Sequence, residues 1–260
     1  MADVTMSVQN KDASWNTFSP ADYWDDNYSK LGAEDQEIIR LVSGFFRREF
    51  AGRPRAQRGI DVGSGPNLYP ALLMLPWAEQ ILLTDFSESN VRWLRREVAT
   101  ESTPWTWQPF WAELQEAEDY DRIGEPRKQL REACAGEPGY AGIERHDVFH
   151  LPRARWDLGT MFFVAESITE DPAEFRAAIA GFLGALTPGA PFAAAFMTGS
   201  HGYPVAGTSF PALPVTPDDV QLHFIELGVN GLNVELLQTP HRVRDGYEAM
   251  IVATGSVGDR

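Results

Sequence analysis

The 260-residue chain predicts an α/β fold with a mostly parallel, seven-stranded sheet covered by helices on both faces. Three observations carry that expectation. Short apolar runs alternate with segments of helical period, the pattern of strands joined by crossover helices. The first such run ends in the glycine turn Gly63-Ser64-Gly65-Pro66 and leads straight into a helix-like segment. The second ends in Asp85, placed after that turn about where an acidic residue accepts hydrogen bonds from ribose hydroxyls.

Taken in order, residues 1–17 are polar and expected to fray, and Pro20 to Phe50 form an aromatic, helical lead-in with Tyr23, Trp24 and Tyr28 ahead of Ile38, Val42, Phe45 and Phe46. Gly59 to Val62 is the first strand and Leu68 to Leu75 its helix. Ile81 to Asp85 is the second strand, followed by a helix over Ser87 to Ala99 with Ser87 as N-cap. Residues 103–143 make an acidic excursion whose Trp105, Trp107 and Trp111 read as packing against the sheet. Strands follow at Ile143 to Asp147, Asp157 to Val164 and Phe192 to Met197, with a helix over Pro172 to Leu186. Residues 198–215 read as a Gly/Pro-rich loop, Asp218 to Leu227 as a helix, and Val234 to Leu237 and Ala249 to Thr254 as terminal strands.

Composition narrows the function. Hydrophobic residues make up 43% and charged residues 23%, ordinary globular usage that excludes collagen-like, coiled-coil and wholly disordered chains. Asp plus Glu number 37 against 22 Lys plus Arg, a net charge of −15, so nucleic acid is not an expected partner and cationic or neutral small molecules are. No run approaches the roughly 18 apolar residues of a membrane helix, and the polar start has no signal-peptide apolar region. A soluble, cytoplasmic protein with no membrane partner is the expectation. The single Cys134 agrees with a reducing compartment. No base is spaced to make it a nucleophile. His146 and His150 flank a strand end rather than share a helix face, so no metal site is expected.

The glycine turn brings backbone close to a ligand, and the helix after it offers unpaired N–H groups. With Asp85 it implies a nucleotide cofactor. Dinucleotide binding wants a third glycine, in G-x-G-x-x-G, whereas Gly65 is followed by Pro66, Asn67 and Leu68. That favours S-adenosylmethionine over NAD. Asp147 and Val148, at the third strand's end, are placed for the adenine.

These segments resemble the nicotinamide, phenylethanolamine and thioether methyltransferase family. The likeness rests on Asp61 to Tyr69 (D-V-G-S-G-P-N-L-Y), Leu83 to Asn90 (L-T-D-F-S-E-S-N) and the spacing of Tyr23 to Tyr28. It extends to Phe163 to Asp171, Leu186 to Gly189 and Phe210 to Pro214, in order from about residue 20 to 255. The resemblance implies a Rossmann-like class I methyltransferase domain over 51–260, forming one unit with a helical cap over 1–50. Residues 103–143 and 198–215 would be insertions near the acceptor site. Tyr23 and Tyr28 would close over the cofactor. Gly63, Ser64, Gly65 and Tyr69 would hold its methionine part, Asp85, Phe86, Ser87 and Asn90 the ribose side, and Asp147 and Val148 the adenine. Phe162 would line the cofactor, and Phe163, Met197 and Tyr203 the acceptor. Glu166 and Tyr23 would stand nearest the chemistry, Glu166 orienting the acceptor or taking its proton.

Two departures bear on the substrate. The fifth strand ends Ala195-Phe196-Met197 where nicotinamide-type relatives carry an acid, and Pro211-Ala212 replace small hydroxyl residues. A small aromatic-bearing acceptor, either an amine nitrogen or an indole-like ring carbon, is expected in place of nicotinamide itself. An NAD-dependent oxidoreductase and a non-catalytic S-adenosylmethionine-binding module are the competing readings. No pattern in the chain specifies an oligomeric state.

Overall fold

The computed structural model describes residues 7–238 and 249–259; the first six residues of the expected cap lie outside it. Helices α1 (Pro20–Tyr28) and α2 (Ala33–Glu49) precede β1 (Ala56–Val62), α3 (Tyr69–Met74), β2 (Ala78–Asp85) and α4 (Glu88–Ala99). The excursion folds as α5 (Gln108–Gln115), α6 (Glu118–Asp121) and α7 (Pro126–Ala133) before β3 (Gly142–Arg145), β4 (Leu158–Phe162), α8 (Pro172–Ala185) and β5 (Pro191–Met197). The chain continues through β6 (Tyr203–Val205), β7 (Thr208–Phe210), α9 (Pro217–Glu226), β8 (Asn230–Gln238) and β9 (Ala249–Ser256).

Seven strands form one sheet in the order β3-β2-β1-β4-β5-β9-β8. The first five are parallel, and β9 inserts antiparallel between β5 and β8. Strand order reverses beside β1, so the ends of β1 and β4 splay around a crevice where ligands bind in such sheets. Both faces are covered, which is why β4 and β5 are buried along their whole length and read as continuous apolar runs. One face packs Phe46, Leu72, Leu83 and Trp111, and the other packs Phe175, Phe182, Phe192 and Phe224.

The tryptophans of the excursion pack, as expected. Trp107 and Trp111 are fully buried, and Tyr120 from α6 donates its hydroxyl to Leu73 O at 2.8 Å while accepting the Trp77 indole N–H at 3.3 Å.

Two expectations need correction, and a third, the Ser87 N-cap, holds in position but not in its side-chain bond. Residues 8–17 do not fray: they form a strap tied to the start of α8, where the Val8 N–H donates to Glu170 and the Asn10 N–H to Glu174. Residues 198–215 are not a plain loop, because β6 and β7 pair as a hairpin through Ala206 (φ 49°) and Gly207 (φ 80°). Positive φ at both central residues is the tight-turn signature, concealed in the sequence by alanine at the first. Ser87 occupies the N-cap position of α4 but makes no side-chain cap bond. Its hydroxyl is taken by Trp15 O at 3.2 Å and by Ser89.

Candidate active site

A cavity of about 800 Å3, counted with its open mouth, lies over the carboxyl ends of β1, β2, β3 and β4. Its floor is the glycine turn. Gly63 (φ 66°) and Gly65 (φ 55°) are both left-handed, and a Cβ on Gly63 would lie 2.5 Å from the Val164 side chain. Glycine is needed there for both reasons. The turn is pinned to β2 by Ser64 N–H on Thr84 O at 2.7 Å.

Asp85 organises the next wall. Its Oδ2 accepts the Gly65 N–H at 2.8 Å, and its Oδ1 accepts the Ser87 N–H at 2.7 Å and the Asn90 amide at 3.1 Å. A carboxylate has about four acceptor sites, and with three donors in place one site, on Oδ2, is left for a ligand hydroxyl. Burial pushes its acidity down, raising the pKa, against the pull of these donors. Phe86 is held by Arg145, whose guanidinium donates to Phe86 O at 2.8 Å and lies 4.9 Å from the ring centroid. Asp147 starts a short helical turn by accepting the Phe149 N–H at 3.0 Å and pairs with His150. His146 pairs with Glu144, and among the described residues no cluster of His, Cys, Asp and Glu could hold a metal ion. Burial pushes the Cys134 thiol up to about 12, so it is no nucleophile at neutral pH.

The roof comes from outside the sheet. The strap crosses from α8 to α4, where Trp15 O accepts from Ser87 and Phe18 O from Ser89. Trp15 stacks on Phe210 of the hairpin at 5.2 Å, and Phe18, Tyr23 and Tyr203 complete the aromatic layer. Tyr203 donates its hydroxyl to Ser167 O at 3.2 Å, which ties hairpin to wall.

Of the residues expected at the site, the cavity is lined by Tyr23, Tyr28, Gly63, Ser64, Gly65, Asp85, Phe86, Ser87, Asn90, Asp147, Val148, Phe162, Phe163 and Tyr203. Tyr69, Glu166 and Met197 are buried and lie outside the lining. Tyr69 sits behind the wall, its ring against Tyr28, Phe110 and Phe162. Glu166 Oε1 accepts the Met197 N–H at 3.0 Å, and Glu166 O accepts the Leu213 N–H at 2.7 Å. Glu166 therefore clamps the end of β5 and the late Phe210 to Pro214 run. Sequence reasoning missed Asn10, Trp15 and Phe18 in the roof and Asn67, His146, Ser167 and Ile168 in the walls. Two large aromatics in a polar start were the available signal for the roof.

Asp61, at the end of β1, is buried beneath this turn. Thr160 donates to its Oδ1 at 2.7 Å, while its buried Oδ2 has no hydrogen-bond partner. Burial, reinforced by the nearby Asp85, pushes its carboxyl up to about 7. A folded value above the ordinary 3.8 means the native state holds the proton more tightly than the unfolded chain. The associated stability is full below about pH 4 and is lost as pH rises through about 7. Melting temperatures measured from pH 5 to 8 should therefore fall, and Asp61→Asn should flatten the slope. Asp35, shifted the same way, keeps it from vanishing. Equal slopes in wild type and variant would remove Asp61 as the source.

The fold, with its glycine turn and the acid ending β2, is that of the class I S-adenosylmethionine-dependent methyltransferases. It is shared with the N-methyltransferase NodS from Bradyrhizobium japonicum, solved with S-adenosylhomocysteine (TM-score 0.53, 10% identity, covering 92% of this chain and 93% of that one). It is likewise shared with magnesium protoporphyrin IX methyltransferase from Synechocystis, solved with S-adenosylmethionine (TM-score 0.53, 13% identity, 93% of each chain). Within that class the chain belongs to the NNMT/PNMT/TEMT family, whose pattern matches residues 6–252. Human nicotinamide N-methyltransferase is 29% identical over 128 residues, 47% of this chain and 48% of that protein. Mouse indolethylamine N-methyltransferase is 26% identical over 182 residues, 66% of this chain and 67% of that protein. The match to the human protein thus spans about half its length.

Proposed function

We propose that the protein transfers a methyl group from S-adenosylmethionine to a small, aromatic-bearing acceptor. The observation that carries this reading is one cavity that joins a glycine turn and two acids, Asp85 and Asp147, to an aromatic roof. The donor set fits the cofactor. Its parts would follow the strand order: adenine beside Asp147 and Val148 at β3, ribose at Asp85 on β2, and methionine over Gly63 to Gly65 on β1. The methyl would then face Tyr23, Phe163 and Tyr203, which line the cavity near β4. Buried Leu68 stands where a dinucleotide fold has its third glycine, and nothing supports the oxidoreductase alternative.

The bound cofactor supplies an already activated methyl, so the chain's residues need only bind, align and exclude water. Holding the two reactants in line contributes up to about 7–11 kcal/mol. Tyr23, Tyr28 and Phe162 line the cavity, and their rings would stabilise the cofactor's positive charge by about 0.5–2 kcal/mol per favourable contact. That relatives are named N-methyltransferases of nicotinamide and of indolethylamine supports a nitrogen as the methylated atom, with an indole-like carbon as the second possibility. The cytoplasmic setting belongs to the same proposal and is supported by the lone cysteine. Among the described residues no helix is long and apolar enough to cross a membrane.

The test is turnover of S-adenosylmethionine with a panel of aromatic amines and indoles, following S-adenosylhomocysteine and the methylated product together. Cofactor binding without turnover of any acceptor would favour a non-catalytic module instead.

Glu166 is assigned a positioning role, because its carboxylate holds the Met197 N–H. Glutamine keeps an acceptor there, so Glu166→Gln should leave kcat within about tenfold of wild type and act mainly on KM. A fall in kcat of about 10²–10⁴-fold at unchanged KM would make it a general base.

A further inference from the structure

Asp35 is a buried acid that the proposed reaction does not use. It lies in the first turn of α2 and is 6% exposed. Its carboxyl faces the backbone N–H of Gly32 and the hydroxyl of Tyr69, with Glu34 as its other charged neighbour. The Tyr69 hydroxyl is itself buried, and Asp35 is its hydrogen-bonding side-chain neighbour. Tyr69 is packed edge-on against Tyr28 at 6.2 Å and against Phe162 at 5.6 Å, and both of those rings line the cavity. Tyr28 ends α1 and Asp35 begins α2, so the two residues bracket the bend at 29–32, with Tyr69 on both of them.

We propose that Asp35 is a positioning residue for the cofactor: by holding the bend between α1 and α2 against Tyr69, it sets Tyr28 on the methionine end of the cavity. The inference rests on the S-adenosylmethionine reading given above. A carboxyl that only capped α2 would satisfy Gly32 from the surface, at little cost in desolvation. Asp35 is buried instead, against a phenol that backs two cavity rings. Its influence is therefore local to the part of the cavity those rings form. The adenine and ribose walls, built on β2 and β3, do not touch it.

The experiment compares the affinity of two ligands in wild type, Asp35→Ala, Asp35→Asn and Tyr69→Phe. S-adenosylhomocysteine carries the amino-acid end, and 5′-methylthioadenosine lacks it. Asp35→Ala and Tyr69→Phe should each weaken S-adenosylhomocysteine by about tenfold, or about 1.4 kcal/mol. The affinity for 5′-methylthioadenosine should stay within about twofold, and Asp35→Asn, which keeps an acceptor for the phenol, should recover most of the loss. Equal losses on both ligands would reduce Asp35 to a helix cap whose removal loosens the whole site. No loss on either ligand would also overturn the proposal. If Asp35→Ala does not fold, the Tyr69→Phe and Asp35→Asn pair carries the same comparison. Failure of wild type to bind either ligand would overturn the cofactor reading instead, so the two failures are told apart.

Discussion

Gly63→Ala is expected to lower the melting temperature sharply and to abolish measurable S-adenosylhomocysteine binding. Two independent costs meet at this position. A left-handed backbone at φ 66° costs an L-residue about 1–2 kcal/mol. The new Cβ would also stand 2.5 and 2.8 Å from the two Val164 methyls, an overpacking worth about 1–3 kcal/mol. For a chain of this length the sum shifts melting by roughly 5–15 °C. Val164→Ala removes the second cost and leaves the first, so the double variant should be more stable than the two single changes predict by addition. Strict additivity would mean that the clash is relieved by movement of the turn and that Val164 does not hold it. Binding suffers in either case, because the strand-to-helix turn that approaches the ligand is the part displaced.

The second large effect is expected at Asp85. Alanine there leaves three donors, the Gly65 and Ser87 N–H groups and the Asn90 amide, without their acceptor. Removing it should weaken S-adenosylhomocysteine by about 1–3 kcal/mol, the scale of charge-assisted hydrogen bonds to ribose hydroxyls. Asp85→Asn is no safe substitute. Whichever way its amide is turned, one side presents N–H to a backbone N–H that Asp85 now accepts. Calorimetry on variants that melt cooperatively separates binding from folding, and an unchanged affinity would take Asp85 out of the cofactor site.

Much of this was legible in the chain. The Gly63 to Pro66 turn and Asp85 sit on consecutive β-units, and local spacing alone carries them to one edge of the sheet. All seven strands were expected, with ends displaced by a few residues; the central ones, such as β4 and β5, are buried on both faces and leave uninterrupted apolar runs, whereas the edge strands β3 and β8 hold no buried residue. The roof was less legible. Asn10 is tied down by Glu174, 164 positions away, which accepts its backbone N–H, and no local pattern encodes such a contact. The hairpin was hidden for a different reason: its turn depends on Ala206 at positive φ, a conformation that alanine does not advertise. Glu166 and Tyr69 were expected in the cavity because they sit in matching motifs, and Met197 because it ends the fifth strand where nicotinamide-type relatives carry an acid. A motif gives the strand end on which a side chain stands; the packing behind Phe162, and the call of the Met197 N–H on a carboxylate, decide which way it turns.

The strap adds no strand to the sheet, and the bonds that fasten it go to the starts of two helices, α4 and α8. Roof and frame therefore answer to different pressures. A substitution in β1 or β4 is judged by whether the protein folds, whereas one at Trp15 or Phe18 is judged first by what the cavity admits. If the cavity holds the acceptor as proposed, changes among some twenty residues at the start of the chain would alter what it admits and leave the frame as it is. Exchanging that stretch between family members is a way to move selectivity from one to another without rebuilding either.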